Sequence, residues 1–383
     1  MNKQTALQAG SQTGQSEYRA GKTVYRIASK EDDAMLREIL RLTPMTSWVT
    51  LSSEHEPGYF DSANLFGQRD TLIAERNDAH SSPVGMCSWS GMKLFINGRQ
   101  TQAGYLGELR VLPGFRKRPG IVRNGFRAVR LLAPDYPHWF TSIAVDNAVA
   151  RRLLEANLKG MPVYRPQGEL FTLALPTSIR RREHCLQPAT IADLPELVEF
   201  YNQQAMNFQY APVLTESWLR QLDGDNGLYL SDFHLLRVNG RLRACFALWD
   251  QRRLKQTVVR GYRFPLAQLH SIYNLFARLS GRLTLPPVGV AIDYLFIAFF
   301  AVAPEMEKTE LRQVIDSALA LTAQRRISCA MFGLAAENPL LKLLSGYRVQ
   351  TYRTCIEAVH WPDQTSTDCT SAGRIVQPEI ALL

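Results

Sequence analysis

The sequence predicts an α+β protein built from two similar domains in tandem, each a mixed, mostly antiparallel sheet flanked by helices. Three observations carry this reading. The chain has 383 residues, 46% hydrophobic and 21% charged, which is a globular composition with length for two domains. The chain repeats itself. Residues 107–113 (GELRVLP) match 298–304 (AFFAVAP), so Val302 stands 191 positions after Val111, and Asn338 stands the same distance after Asn147. Each repeat also runs through a helix, a meander of strands, and then alternating strands and helices, the order expected around a mixed sheet.

Residues 1–21 are polar, lack an apolar signal core and are expected to form a disordered tail. The first domain is expected at 22–178. It opens at 25–42 (YRIASKEDDAMLREILRL) with a short extended piece, a turn, and apolar positions at helical spacing. Residues 71–75, 84–90 and 93–102 read as strands, with Asn97-Gly98 as a turn. The strand 107–112, a helix from about 121 to 132, the strand 139–145, a helix from about 148 to 157 and the strand 169–175 follow. The second domain is expected at 183–361, and 362–383 as a C-terminal tail. Its opening, 186–202 (LQPATIADLPELVEFYN), mirrors the first, with Thr190 as helix cap. The openings lie only 161 positions apart (Ala28 against Ala189), so the second copy carries about thirty extra residues, placed around 262–287.

The net charge is +9 and the pI about 9.3, a balance that suits nucleic acid, a membrane surface or an anionic cofactor. Much of the excess sits in one segment, at Arg116, Lys117, Arg118, Arg123, Arg127 and Arg130. The run Arg180, Arg181, Arg182 reads as a solvated face. No basic-aromatic motif supports a nucleic-acid partner. No apolar run reaches the roughly 18 residues of a membrane span, so no membrane partner is expected. The six scattered cysteines show neither zinc spacing nor a disulfide framework; no metal is expected, and a reducing cytoplasm fits.

The local charge has a chemical reading. Residues 111–122 (VLPGFRKRPGIV) place a basic loop between a strand and a helix. A pyrophosphate needs several backbone N–H donors pointing one way, and a helix N-terminus supplies them with its positive dipole end. Gly120 allows close backbone approach, and Arg116, Lys117 and Arg118 add charge. Further on, Asn147-Ala148-Val149-Ala150 starts the next helix. Together these motifs resemble the Gcn5-related N-acetyltransferase (GNAT) superfamily, well over 25–175 and more weakly over 186–358. The resemblance implies tandem GNAT-like domains, with acetyl-CoA or another acyl-CoA as cosubstrate. It implies that Leu109, Arg110 and Val111 hold the pantetheine arm through their backbone. Arg116, Lys117, Arg118, Gly120, Ile121 and Val122 would meet the phosphates. Asn147 would meet the coenzyme from the other side or serve as a plain helix cap. Only one of the family's two loop glycine positions is filled, and Pro119 removes a donor.

Aminolysis of a thioester needs a neutral amine, hence a base. Glu108, three residues before Val111, is the best candidate for this catalytic role; its alternative is a structural ion pair with an arginine. His138 is a second, lower candidate. Many relatives place a Tyr acid where this chain has Leu154, with Tyr164 as a substitute. The loop 43–60 is expected to wall the acceptor, with Trp48, Tyr59 and Phe60 as apolar walls and Glu54, His55 and Glu56 facing an amine, or else to pack as a lid. In the second copy, residues 305–312 (EMEKTELR) are acidic and Phe299 replaces Glu108, so that half reads as degenerate. The expected activity is transfer of an acyl group to a primary amine of a small molecule or peptide. The alternatives are a non-catalytic coenzyme A-binding protein and an N-acyl amino acid synthase-like enzyme. The latter would dock an acidic acyl carrier protein on Arg123, Arg127 and Arg130.

Overall fold

The computed structural model describes residues 16–63, 65–77, 82–177, 186–363 and 373–383; Arg180–Arg182, Cys185 and Cys369 lie outside them. The first described element corrects the sequence reading. β1 (Glu17–Ala20) pairs antiparallel with β2 (Thr23–Ile27), so the tail expected at 1–21 gives way to a strand from Glu17. In α1 (Asp33–Leu42) the apolar spacing buries Leu36, Ile39 and Leu40. The chain then runs through β3 (Val49–Glu54), β4 (Arg69–Arg76), β5 (Pro83–Ile96) and β6 (Arg99–Val111). The pieces expected at 84–90 and 93–96 are one strand, because Gly91 does not end it. Asn97 and Gly98 make the tight turn, with φ of 51° and 77°. α2 (Pro119–Leu132), β7 (His138–Ala144), α3 (Ala148–Leu154) and β8 (Val163–Pro176) close the first copy.

The second copy follows the same course. β9 (Leu186–Pro188) leads to the Thr190–Asp193 capping box and α4 (Leu194–Ala205). β10 (Phe208–Gln209), α5 (Glu216–Arg220), β11 (Phe233–Val238) and β12 (Arg241–Trp249) come next. The extra residues form β13 (Gln256–Tyr262) and α6 (Leu266–Ser280). β13 pairs with β3 from Gln256↔Glu54 to Tyr262↔Val49, so the insertion reaches across to the segment 43–60 of the first copy. β14 (Tyr294–Val302), α7 (Lys308–Gln324), β15 (Cys329–Ala335), α8 (Leu340–Leu344) and β16 (Gln350–His360) complete the copy.

One 13-stranded sheet joins the copies edge to edge, in the order β1-β2-β4-β5-β6-β7-β16-β8-β15-β14-β12-β11-β9. The closing strands are exchanged: β7 pairs with β16, and β15 pairs with β8. Among the described residues only β6–β7 and β14–β15 are parallel in this sheet. Their ladders repeat the sequence offset, running from Ala103↔His138 to Leu106↔Thr141 and from Tyr294↔Cys329 to Ile297↔Phe332. The expected tail at 362–383 is corrected over its described part. β17 (Ile375–Val376) pairs with β10, and Val376, Ile380 and Ala381 are buried. These apolar side chains can leave water only by packing between the copies.

Candidate active site

The two parallel strands of the first copy part beyond Leu106↔Thr141, where the Thr141 hydroxyl donates to the Leu106 carbonyl at 2.7 Å. β6 stays on β5 but bulges: Gly107 faces Ser88 and Arg110 faces Met86, leaving Glu108 and Leu109 opposite Cys87 alone. Glu108 takes φ 49°, a left-handed conformation costly for a side chain with a Cβ and held here by the surrounding ladder. A cavity of about 390 Å³ fills the gap. Its walls include Glu108, Leu109, Arg110, Ser142, Asn147 and Tyr164, with Tyr352 and Thr354 from the exchanged strand β16.

Glu108 is locked on three sides. Oε1 meets His55 Nε2 at 2.9 Å; Oε2 accepts from Tyr59 Oη at 2.8 Å and from the Arg69 guanidinium. Burial alone would raise its pKa, but Arg69 and His55 outweigh that and hold the carboxyl well below the usual range. His55 is fully buried, and burial lowers its pKa against the opposing pull of Glu108; Nδ1 lies 2.8 Å from Ser62 Oγ. The segment 43–60 therefore delivers His55 and Tyr59 to Glu108. It does not offer free carboxylates: Glu54 pairs with Arg260 and Arg41, and Glu56 with Arg37 and Arg41. Trp48 points outward, 62% exposed.

Two groups that the sequence did not single out stand here. Lys255, just before β13, lines the cavity, and its Nζ donates to the backbone O of Leu383 at 2.8 Å. Burial lowers its pKa to about 8, against the opposing pull of Glu108. Arg69, at the start of β4, neutralises Glu108. Neither belongs to a recognisable motif, since their proximity to Glu108 arises only from the β3–β13 ribbon and the sheet. His138 sits at the far end of β7 from the opening and does not line the cavity. Leu154 and Tyr164 do line it.

At the other end, α2 starts from Arg118, which gives no side-chain cap to the helix. Among the described residues the amides of Lys117 and Gly120 have no protein acceptor. A Cβ built on Gly120 would meet nothing within 4 Å, so the ground in front of this helix end is open. Arg116, Lys117 and Arg118 are exposed around it. The Ile121 and Val122 side chains instead pack into the core, and the Ile121 carbonyl accepts from Tyr25 at 3.0 Å. Asn147 caps α3, accepting from the Ala150 amide at 3.1 Å, while also lining the cavity.

The second copy has filled the same places with its own atoms. Glu307 and Glu310 form a capping box at the start of α7, in which the Glu307 amide donates to the Glu310 carboxylate at 2.9 Å. Phe299, at the equivalent bulge with φ 50°, is 1% exposed, its ring 5.7 Å from Phe233 and 5.8 Å from Trp249.

A parallel strand pair that parts beside a bulge and leads into a helix, repeated through one sheet, is the GNAT fold in two copies; only the first copy leaves its helix start uncapped. Solved structures share it. A Saccharomyces cerevisiae N-myristoyltransferase with bound myristoyl-CoA is 9% identical, with a TM-score of 0.60 covering 91% of this chain and 85% of that one. Another structure of that yeast enzyme with myristoyl-CoA gives 10% identity and a TM-score of 0.60, covering 95% and 87%. The GCN5-related glucosamine N-acetyltransferase region of a fungal multi-domain beta-N-acetylglucosaminidase is 14% identical, with a TM-score of 0.57, covering 89% of this chain and 38% of that one. At such identities the likeness is one of fold. No protein-family model and no curated protein sequence matches the chain.

Proposed function

We propose that the protein is an N-acyltransferase that moves an acyl group from an acyl-CoA to a primary amine, with the chemistry in the first copy. The observation that carries this is the cavity beside the parted strands, lined by Glu108, Lys255 and Asn147 together. The diphosphate would rest on the open start of α2 among Arg116, Lys117, Arg118 and Gly120. The pantetheine arm would run along the unpaired edge at Leu109, Arg110 and Val111. The thioester then reaches the bulge.

Glu108, its charge balanced by Arg69, would orient the incoming amine by accepting a hydrogen bond from it; its low pKa makes it a weak proton acceptor. Lys255, neutral above about pH 8, takes the proton. The amine nitrogen bonds to the thioester carbon as the carbon–sulfur bond breaks. Coenzyme A leaves as a thiolate and takes the remaining ammonium proton of the product. The second copy supplies β16, Lys255 and the wall around Leu383, and so completes a site it does not duplicate.

The test is calorimetry with coenzyme A, followed by thiol release from acetyl-, octanoyl- and myristoyl-CoA against a panel of amino acids, polyamines and peptides. Binding with amine-dependent thiol release is expected. Binding without release from any pair would leave a coenzyme-binding protein; absence of binding would end the reading.

A further inference from the structure

α6 carries its apolar stripe on the wrong side for a helix that packs on a core. Leu269, Ile272, Leu275, Phe276 and Leu279 are 47%, 66%, 62%, 56% and 82% exposed. At 100° per residue these five positions fall on one face of the helix, about a third of its circumference. The opposite face meets the protein through polar atoms. His270 Nε2 and Asn274 Nδ2 each lie 2.9 Å from the Leu285 carbonyl, and Tyr273 Oη donates to the Leu283 carbonyl at 3.3 Å. Ala277 alone in the helix is buried. The stripe extends toward the acceptor loop, where the Arg263 amide donates to the Trp48 carbonyl at 3.0 Å and both Trp48 and Phe264 are exposed. A contiguous outward apolar face of this size marks a contact surface.

The charge around it selects the occupant. Residues 256–292 contain Arg260, Arg263, Arg278 and Arg282 and no aspartate or glutamate. Arg260 is taken by Glu54, whereas Arg263, Arg278 and Arg282 are exposed and have no carboxylate partner among the described residues. A second copy laid on this face about a two-fold axis would bring like charges together. An anionic lipid surface meets both requirements, accepting the apolar stripe at the boundary of its acyl chains and the arginines at its phosphates.

We propose that α6 seats the protein peripherally on an anionic lipid surface. This differs from the spanning segment that the sequence excludes: among the described residues no helix is long and apolar enough to cross a membrane. The surface is separate from the acyl-transfer cavity, so its test does not depend on that reading.

The full chain is sedimented with vesicles of phosphatidylcholine alone or mixed with phosphatidylglycerol in equal parts. Binding to the mixed vesicles is expected, falling with added salt, and weaker by roughly tenfold or more on phosphatidylcholine alone. The pair Leu275→Glu with Leu279→Glu, and separately Arg278→Glu with Arg282→Glu, should each reduce binding by roughly tenfold or more. Both pairs are exposed, so circular dichroism and melting temperature should stay unchanged. The proposal is overturned if the wild-type chain does not pellet, or if the leucine pair pellets equally. It is also overturned if the wild type runs as a dimer that the leucine pair converts to a monomer, which would assign the face to a second copy.

Discussion

The backbone amide of Phe299 donates to the carboxylate of Glu379 at 2.7 Å, so the bulge of the second copy is closed by the chain's own C-terminal segment. Its neighbours close the rest of the slot. Gln377 Oε1 accepts from Asn338, the counterpart of Asn147, at 2.5 Å, and a Cβ on Gly333 would strike Ile380. The equivalent space beside Glu108 is a cavity. One coenzyme site per chain is therefore expected, and titration calorimetry with coenzyme A reads it directly. A stoichiometry of two would mean that residues 377–380 are displaced by ligand.

Gly120 tests the anion cradle separately from the fold. Because nothing stands within 4 Å of its absent Cβ, Gly120→Glu should fold normally yet lose coenzyme A binding through repulsion at the phosphate position. Gly120→Ala adds helix propensity and should raise stability by about 1 kcal/mol, with binding kept within a few-fold. Melting curves and calorimetry on the same two variants separate the effects. Equal affinity of Gly120→Glu and wild type would remove the cradle from this helix end.

How much of this was legible in the sequence depends on range. Asn97-Gly98, the stripe of α1 and the Thr190 cap are local signals, and each formed where its residues stand. The 191-residue offset recurs in the partners of the two parallel ladders, because an ungapped repeat must reproduce its register. Lys255 and Arg69 were illegible: pairing between β3 and β13, two hundred residues apart in the chain, brings Lys255 to Glu108, and Arg69 reaches it from β4 across β5. The sequence assigns 362–383 to a tail because nothing in its composition shows that a slot awaits Ile380. Glu54 and Glu56 looked available for an amine for a similar reason, since the arginines that occupy them come from α1 and β13.

Removing the Glu108 charge should separate chemistry from stability. Glu108→Gln leaves Arg69 buried without its carboxylate, a loss of about 3–5 kcal/mol. Adding Arg69→Met should restore much of that stability but none of the activity. The pH dependence has a definite sign. The folded-state pKa is depressed, so the stabilisation by Glu108 is complete above the ordinary carboxylate value and fades as pH falls through the folded one. Urea melts of wild type and the double variant, compared from neutral pH downward, check it. An active double variant would take Glu108 out of the chemistry.

Glu357, on the exchanged strand β16, gives the opposite slope. It is fully buried, and among the described residues neither carboxylate oxygen has a hydrogen-bond partner. Burial, aided by Glu155, raises its pKa to about 7. The folded state then holds a proton that the unfolded chain releases, so stability from this group falls as pH rises from about 4.5 to 7. Glu357→Gln should be more stable than wild type at pH 8, by about 1–3 kcal/mol, and nearly equal at pH 5. Melts at the two pH values decide this, and a destabilised variant at pH 8 would show that the charge has a partner.

Lys255 should set the alkaline limb of the acyl-transfer rate. With its pKa lowered to about 8 by burial, the amine is mostly protonated at pH 7 and mostly free at pH 9. If the free amine takes the substrate proton, kcat/KM rises with pH and levels off above about 8. The backbone oxygen of Leu383, 2.8 Å away, can accept from either form and keeps the nitrogen in place. Lys255→Met removes the proton acceptor with a similar apolar stem, so the limb should vanish and the rate at pH 8.5 should fall by about 10²-fold or more, with coenzyme A affinity unchanged. Lys255→Arg keeps the charge but cannot deprotonate in this range, and it should be as inactive as the methionine variant. A limb that persists near pH 8 in both variants would assign it to the incoming amine and leave Lys255 as a wall of the cavity.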